Sequence, residues 1–236
     1  MSTEEQSHDA AGKKRRKPQQ RAEDTRERIL VAAIREFALG GFDGVSTRTV
    51  AEAAGVRHAL VTYHFQGKEG LWRAALDRTV RTFVERQRAR RGGLRGVDDV
   101  QKLRLLLEDF IRYSAENTDL HRLMTHAASG SSPQLEEMIS EYLSGYFAMI
   151  ADLIVKAQKA GAFVQGDPNH LHYLFIGATT RVFMQSPEVE KIIGCSPLSD
   201  AFVRKHIREC LGLFFRDTSP GAERSEDGQS SRKSSV

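Results

Sequence analysis

Cysteine is nearly missing: Cys195 and Cys210 are the only two in 236 residues. They can form one bridge at most and have no metal-ligand spacing, which excludes a disulfide scaffold and points to a reducing compartment. No apolar run approaches the ~18 residues of a membrane span, and the N-terminus is charged rather than signal-like, so the expected location is cytoplasmic. His121 with His126, and His170 with His172, lack the i, i+4 placement of a helical metal pair, and no HExxH occurs. Asp98–Asp99 stands alone. There is no Gly-rich phosphate loop after a strand, no nucleophile elbow and no C-x-x-C. These absences argue against an enzyme and predict neither metal nor cofactor. No stretch alternates with a strand period, and no repeat of constant length is found.

What is present begins with charge. Residues 1–91 carry 19 Lys/Arg against 12 Asp/Glu, or +7, while the remainder carries −3 of the net +4. A basic first third points to a polyanion bound at one end. Residues 1–22, with "KKRRKP" from Lys13 to Pro18, read as a disordered basic arm, and residues 217–236 as a disordered polar tail. Between them the pattern is helical. "DTRE" predicts a capping box, with Asp24 capping and Glu27 reaching back. Ile29, Ala33, Ile34 and Phe37 follow at helical spacing until Gly40–Gly41. Longer stripes cover about 98–116, 119–128, 135–160, 168–185 and 198–215. Breaks are expected at Gly92–Gly93, Ser129–Pro133, Gly161–Asp167 and Ser186–Pro197. The fold class is all-α.

Two short helices stand out in "STRTVAEAAGVRHALVTYHFQGKEGLW" (Ser46 to Trp72). Ser46 or Thr47 caps the first, Gly55 supplies a sharp turn, and the second runs from Arg57 to about His64. Val50, Ala51, Ala54, Val56, Val61 and Phe65 form the inward face, and the small Ala51 lets the helices cross closely. That is a helix-turn-helix. Arg57, His58, Ala59, Thr62 and Tyr63 then face outward, where such proteins read base edges in the major groove. Lys68 opens the next helix, where the macrodipole disfavours a cation. It reads either as a phosphate contact or as a solvated lysine offset by Glu69.

The run from Thr25 to Trp72 resembles the DNA-binding domain of the TetR family of bacterial transcriptional regulators. The matching elements are "TRERIL", "AA…F…GGF", "S/T-x-R-x-V-A-x-A-A-G-V", "Y-H-F" and "K-E-x-L", in order and correctly spaced. The resemblance implies a three-helix DNA-binding domain over residues 23–72, in which Ser46, Thr47, Tyr63, His64 and Lys68 clamp phosphates. Arg48, Arg57, His58, Ala59 and Thr62 would contact bases. Two positions depart from the family pattern: Thr62 replaces a common aromatic residue and Leu60 a common threonine, so the operator cannot be inferred by analogy.

For residues 73–216 the resemblance implies a larger helical domain for effector binding and dimerisation. Helices at about 168–185 and 198–215 would pair across a two-fold axis to form a homodimer. Candidate effector contacts are Phe110, Arg112, Tyr113, Met124, His126, Tyr142, Tyr146, Phe175 and Arg181, and Phe147, Met149, Met184, His121 and His172 lie on the same stripes. The expected function is a repressor that binds a palindromic operator in double-stranded DNA and is released by a small, largely apolar effector. A swing of the helix at about 69–90 would change the separation of the recognition helices. The alternative is a constitutive architectural DNA-binding protein without effector.

Overall fold

The computed structural model describes residues 18–129 and 133–216. The described chain runs α1 (Pro18–Gly44), α2 (Thr47–Ala53), α3 (His58–Phe65), α4 (Lys68–Gly92), α5 (Asp99–Glu116) and α6 (Thr118–Ala128). There follow α7 (Pro133–Met138), a π-helical turn (Ile139–Leu143), α8 (Ser144–Lys159), α9 (Pro168–Met184), α10 (Ser186–Ile193) and α11 (Asp200–Phe214). The fold is all-α, as expected. The one β-type pairing among the described residues is an isolated bridge between Phe163 and Phe215.

Three expectations need correction. Helix α1 begins at Pro18, inside the stretch read as a disordered arm. The residues after Pro18 are good helix formers, and proline suits a first helical position. Asp24 and Glu27 consequently lie within the helix and form no capping box: Gln20 Nε2 donates to Asp24 Oδ1 at 3.1 Å, and Glu27 pairs with Arg78. The third correction is α10, which occupies an expected break. Pro187 in its first turn and Gly194 in the left-handed region (φ 79°) bracket it, the usual asymmetry of helix ends. The basic run Lys13–Lys17 and the tail 217–236 lie outside the described residues.

The described residues divide into two compact units, neither of which breaks at residue 72. The first comprises residues up to Arg88 together with Tyr113–Gly145. Helix α4 as far as Arg88 belongs to it, with Leu71, Trp72, Ala75, Leu76, Val80, Phe83 and Val84 making one buried stripe. Trp72 meets Phe37 edge-on at 5.1 Å and Phe42 at 5.8 Å. Arg78 donates twice to Glu27, at 3.0 and 2.9 Å, joining α4 to α1. Helix α6 packs along α1, with the His126 ring beside Gly41, whose φ of 67° kinks α1.

The second unit comprises Ala89–Arg112 and the chain from Tyr146. Its core takes Leu103, Leu106, Leu107, Phe110 and Ile111 from α5, and Ile150, Leu153 and Ile154 from α8. Phe175 and Phe183 come from α9, and Ile207, Leu211 and Phe214 from α11. Phe175 meets Phe110 at 5.8 Å and Phe214 at 5.4 Å. The helical run Glu136–Lys159 has the length and apolarity of a membrane span; its residues Tyr146, Ile150, Leu153, Ile154 and Ala157 are buried within the fold.

Candidate nucleic-acid interface

Local backbone rules build the site. Ser46 is extended (φ −101°, ψ 154°), and its hydroxyl accepts from the Thr49 amide at 3.1 Å, satisfying a free donor at the start of α2. Gly55 takes φ 63° at the turn, a conformation that costs glycine no steric energy. Val56 N then donates to Ala51 O at 3.0 Å, which closes the turn. Buried Val50, Ala51, Val61 and Phe65 lock α2 and α3 together. Ala54 and Val56, also predicted to face inward, are half-buried. Helix α3 ends on Gln66 in the left-handed region (φ 61°), with its amide bonded to Thr62 O.

What this leaves outside is a short polar face. Arg57, His58, Ala59, Thr62 and Tyr63 are all exposed, and Tyr63, 77% exposed, lies outside the buried core. An eight-residue helix is about 12 Å long, close to the width of the major groove. His58 Nε2 lies 2.9 Å from Thr47 Oγ1, so a predicted base contact and a predicted phosphate contact share one hydrogen bond across α2 and α3. Tyr63 and His64 stand edge to face at 5.0 Å. Ser46 and Arg48 are exposed beside them, while Thr47, Leu60 and His64 are half-buried.

Lys68 has a partner that neither sequence reading supplied. Its ammonium donates to the Asp43 carbonyl at 3.4 Å and sits 4.6 Å over the Phe42 ring. The end of α1 presents free carbonyls and a partial negative charge, which accounts for a cation at the start of α4. Another feature missed in the sequence is Gly70. A Cβ there would stand 2.0 Å from the Phe65 carbonyl oxygen, so α4 touches the end of α3 through backbone alone.

The nine expected effector contacts are divided between the two units. In the first, Tyr113 is buried against Phe83 at 5.4 Å, Met124 is half-buried and His126 is exposed beside Gly41. Tyr142 donates to Asp77 Oδ1 at 2.8 Å, and that carboxylate pushes the phenol pKa well above its usual range. In the second unit, Phe110, Tyr146 and Phe175 are buried. Arg112 there is paired with Glu108 at 2.8 Å, and Arg181 is exposed. An open cavity of about 250 Å³ lies within the first unit, lined by Arg73, Asp77, Glu137, Met138, Glu141 and Tyr142 among others. Of the expected contacts only Tyr142 borders it, and its lining mixes charged Arg73, Asp77, Glu137 and Glu141 with apolar Ala74, Leu76 and Met138. Among the described residues no group of three or more His, Cys, Asp or Glu is arranged to hold a metal.

Comparison with known proteins agrees with this architecture. Residues 29–75 match the family described as bacterial regulatory proteins, tetR family. Residues 96–184 match the tetracyclin repressor-like C-terminal domain. The chain is 24% identical over 193 residues to the HTH-type transcriptional regulator RutR of Escherichia coli (strain K12), covering 81% of this chain and 89% of that one. It is 56% identical over 50 residues to the regulatory protein RaaS of Mycobacterium tuberculosis, spanning 21% of this chain and 23% of that one. A transcriptional regulator from Saccharomonospora viridis, solved in complex with choline, shares the fold at a TM-score of 0.61 and 23% identity, covering 82% of this chain and 99% of that one. The two family matches together take in more than half of the sequence, and the chain belongs to the TetR family as a DNA-binding transcriptional regulator.

Proposed function

We propose that the protein is a cytoplasmic homodimeric repressor that binds a palindromic operator and leaves it when a small, largely apolar effector binds. The observation that carries the reading is the outward face of α3 and its N-cap, where Arg57, His58, Ala59, Thr62 and Tyr63 are all exposed and none belongs to the buried core. Arg57, His58, Ala59 and Thr62 are the base-reading group, with Arg48 beside them. Ser46, Thr47, Tyr63, His64 and Lys68 hold phosphates. The division follows from chemistry: phosphate contacts fix register and carry no sequence information, while base-edge contacts specify.

A dimer follows from coverage. One α3 spans few base pairs, whereas a two-fold pair reads half-sites about 34–36 Å apart. The surface that fits this role is on α9 and α11. Tyr173, Leu174, Gly177, Ala178 and Arg181 make one exposed face of α9, and nothing lies within 4 Å of a Cβ added at Gly177 or at Gly212 of α11. Small residues on such a face allow close helix approach. Effector release requires a ligand that distinguishes the DNA-bound conformation from the free one.

The test is selection of genomic fragments by the purified protein at physiological salt, with sedimentation to count subunits. A short list of palindromic sites bound by a dimer is the expected result. Diffuse recovery without a motif overturns the reading in favour of an architectural protein.

A further inference from the structure

His172 is the polar group in the second unit that the packing leaves unexplained. It is 1% exposed, on the inward side of α9, and neither ring nitrogen has a hydrogen-bond partner. Two other histidines are satisfied: His121 lies 2.8 Å from Ser114 Oγ, and His206 lies 3.0 Å from the Thr179 carbonyl. Two aromatic rings stand against His172. Phe147 is 4.5 Å away at 45°, and Tyr146 is 5.7 Å away at 60°. A leucine or phenylalanine would fill the position without burying two unmatched nitrogens, and such groups in native proteins call for an explanation.

Phe147 is half-buried, and its ring also meets that of Tyr173 at 5.3 Å. Tyr173 is 65% exposed, on the α9 face assigned above to the partner copy. Phe147 is thus the more exposed of the two rings that stand against the imidazole. Burial pushes the His172 pKa down to about 4, so the ring is neutral near pH 7. A neutral imidazole offers one donor and one acceptor.

We infer that His172 is the polar anchor of the effector site, and that a flat aromatic compound bearing one hydroxyl or N–H group takes the place of the Phe147 ring against the imidazole. The inference rests on the effector-release reading and names the chemistry of that effector. Aromatic rings bind this cluster by offset or edge contact. The hydroxyl or N–H gives the imidazole its missing partner, which an apolar ring of the same size cannot do.

The test uses the full chain and three probes: phenol, indole and the apolar analogue toluene. Phenol and indole are expected to shift the His172 ring nitrogens in NMR spectra and to bind His172→Phe at least about tenfold more weakly. Toluene should bind both proteins within about twofold. Unliganded His172→Phe should melt no lower than the wild type, because its ring fills the site without unmatched nitrogens. Phe147→Ala keeps the imidazole, empties the competing ring's volume, and should bind phenol about tenfold more tightly than the wild type. A lower melting temperature for His172→Phe, equal discrimination of phenol and toluene by the wild type and His172→Phe, no binding of any probe, or unchanged phenol affinity in Phe147→Ala overturns the inference. Fragment selection on the same preparations separates the two levels. If wild type and His172→Phe keep the same specific DNA sites while the probes fail, the anchor alone is wrong. If the wild type selects no specific site, the repressor reading falls with it.

Discussion

Replacing Gly70 by alanine tests whether the recognition helix is positioned by backbone contact with α4. A Cβ at residue 70 would stand 2.0 Å from the Phe65 carbonyl oxygen and 3.2 Å from its carbonyl carbon. Both atoms belong to the backbone of the last residue of α3, so no side-chain rotation relieves the clash. Carbon–oxygen contacts of this kind settle near 3.3 Å, which requires a shift of about 1.3 Å. Overpacking of well-fitted structure costs about 1–3 kcal/mol, and a backbone clash belongs at the upper end. Against this, alanine gains about 1 kcal/mol over glycine within a helix. The balance is a loss of about 1–2 kcal/mol, or a fall of roughly 2–8 °C in melting temperature for a chain of this size. A shift of α3 also misaligns its base contacts, and losing one good contact weakens operator binding at least about tenfold. Calorimetry and fluorescence anisotropy on the selected operator read both quantities. Gly145→Ala is the control, because nothing lies within 4 Å of a Cβ there; it should stabilise by about 0.5–1 kcal/mol. If Gly70→Ala melts at or above the wild type and binds the operator fully, the α3–α4 junction is not set by backbone contact.

Lys68→Ala should weaken all sites alike and lower the slope of log affinity against log salt by about one. His58→Ala or Thr62→Ala should instead change which sites are selected, and uniform losses in all three variants would sink the division into clamps and readers. Ser46→Ala removes the α2 cap and should cost about 0.5–2 kcal/mol, whereas Ser46→Asp retains an acceptor and should melt close to the wild type. Stability should fall on acidification from about pH 6.5 to about pH 4, because burial depresses the pKa of His121 and His172 to about 4. In that window the unfolded chain takes up protons that the folded one refuses, and His172 alone contributes a loss of about 3 kcal/mol. Unfolding titrations from pH 7 to pH 4 check this, and His172→Phe should flatten the profile.

The helix-turn-helix was legible because each of its parts answers to a rule about neighbouring backbone. Ser46 is a cap, Gly55 is a positive-φ turn, and Val50, Ala51, Val61 and Phe65 repeat at helical spacing. The same local reasoning misjudged "DTRE", since a capping sequence marks a possible helix start and does not prevent an upstream segment from helping itself to the same helix. It also passed over α10, although Pro187 and Gly194 bracket it. Pairings between distant residues left no local trace. Glu27 meets Arg78 across 51 residues, Asp77 meets Tyr142 across 65, and Gly70 is needed only because Phe65 folds back upon it.

Surface and interior differ in what a sequence can disclose about function. On α3 the outward face carries an exposed tyrosine and histidine that the buried core does not require, so residue type and periodicity together already point to a partner. In the apolar stripes of the second unit, Phe110, Tyr146 and Phe175 are explained equally well by core packing and by ligand contact. Periodicity says that such a residue faces inward; it does not say whether its polar neighbours are matched. His172 and His206 look alike in sequence, each a histidine on an apolar helix. They separate only when hydrogen bonds are assigned: His206 reaches the Thr179 carbonyl, and His172 reaches nothing polar. An interior binding site is therefore best sought through polar atoms that the fold leaves unmatched, rather than through the aromatic residues that surround them.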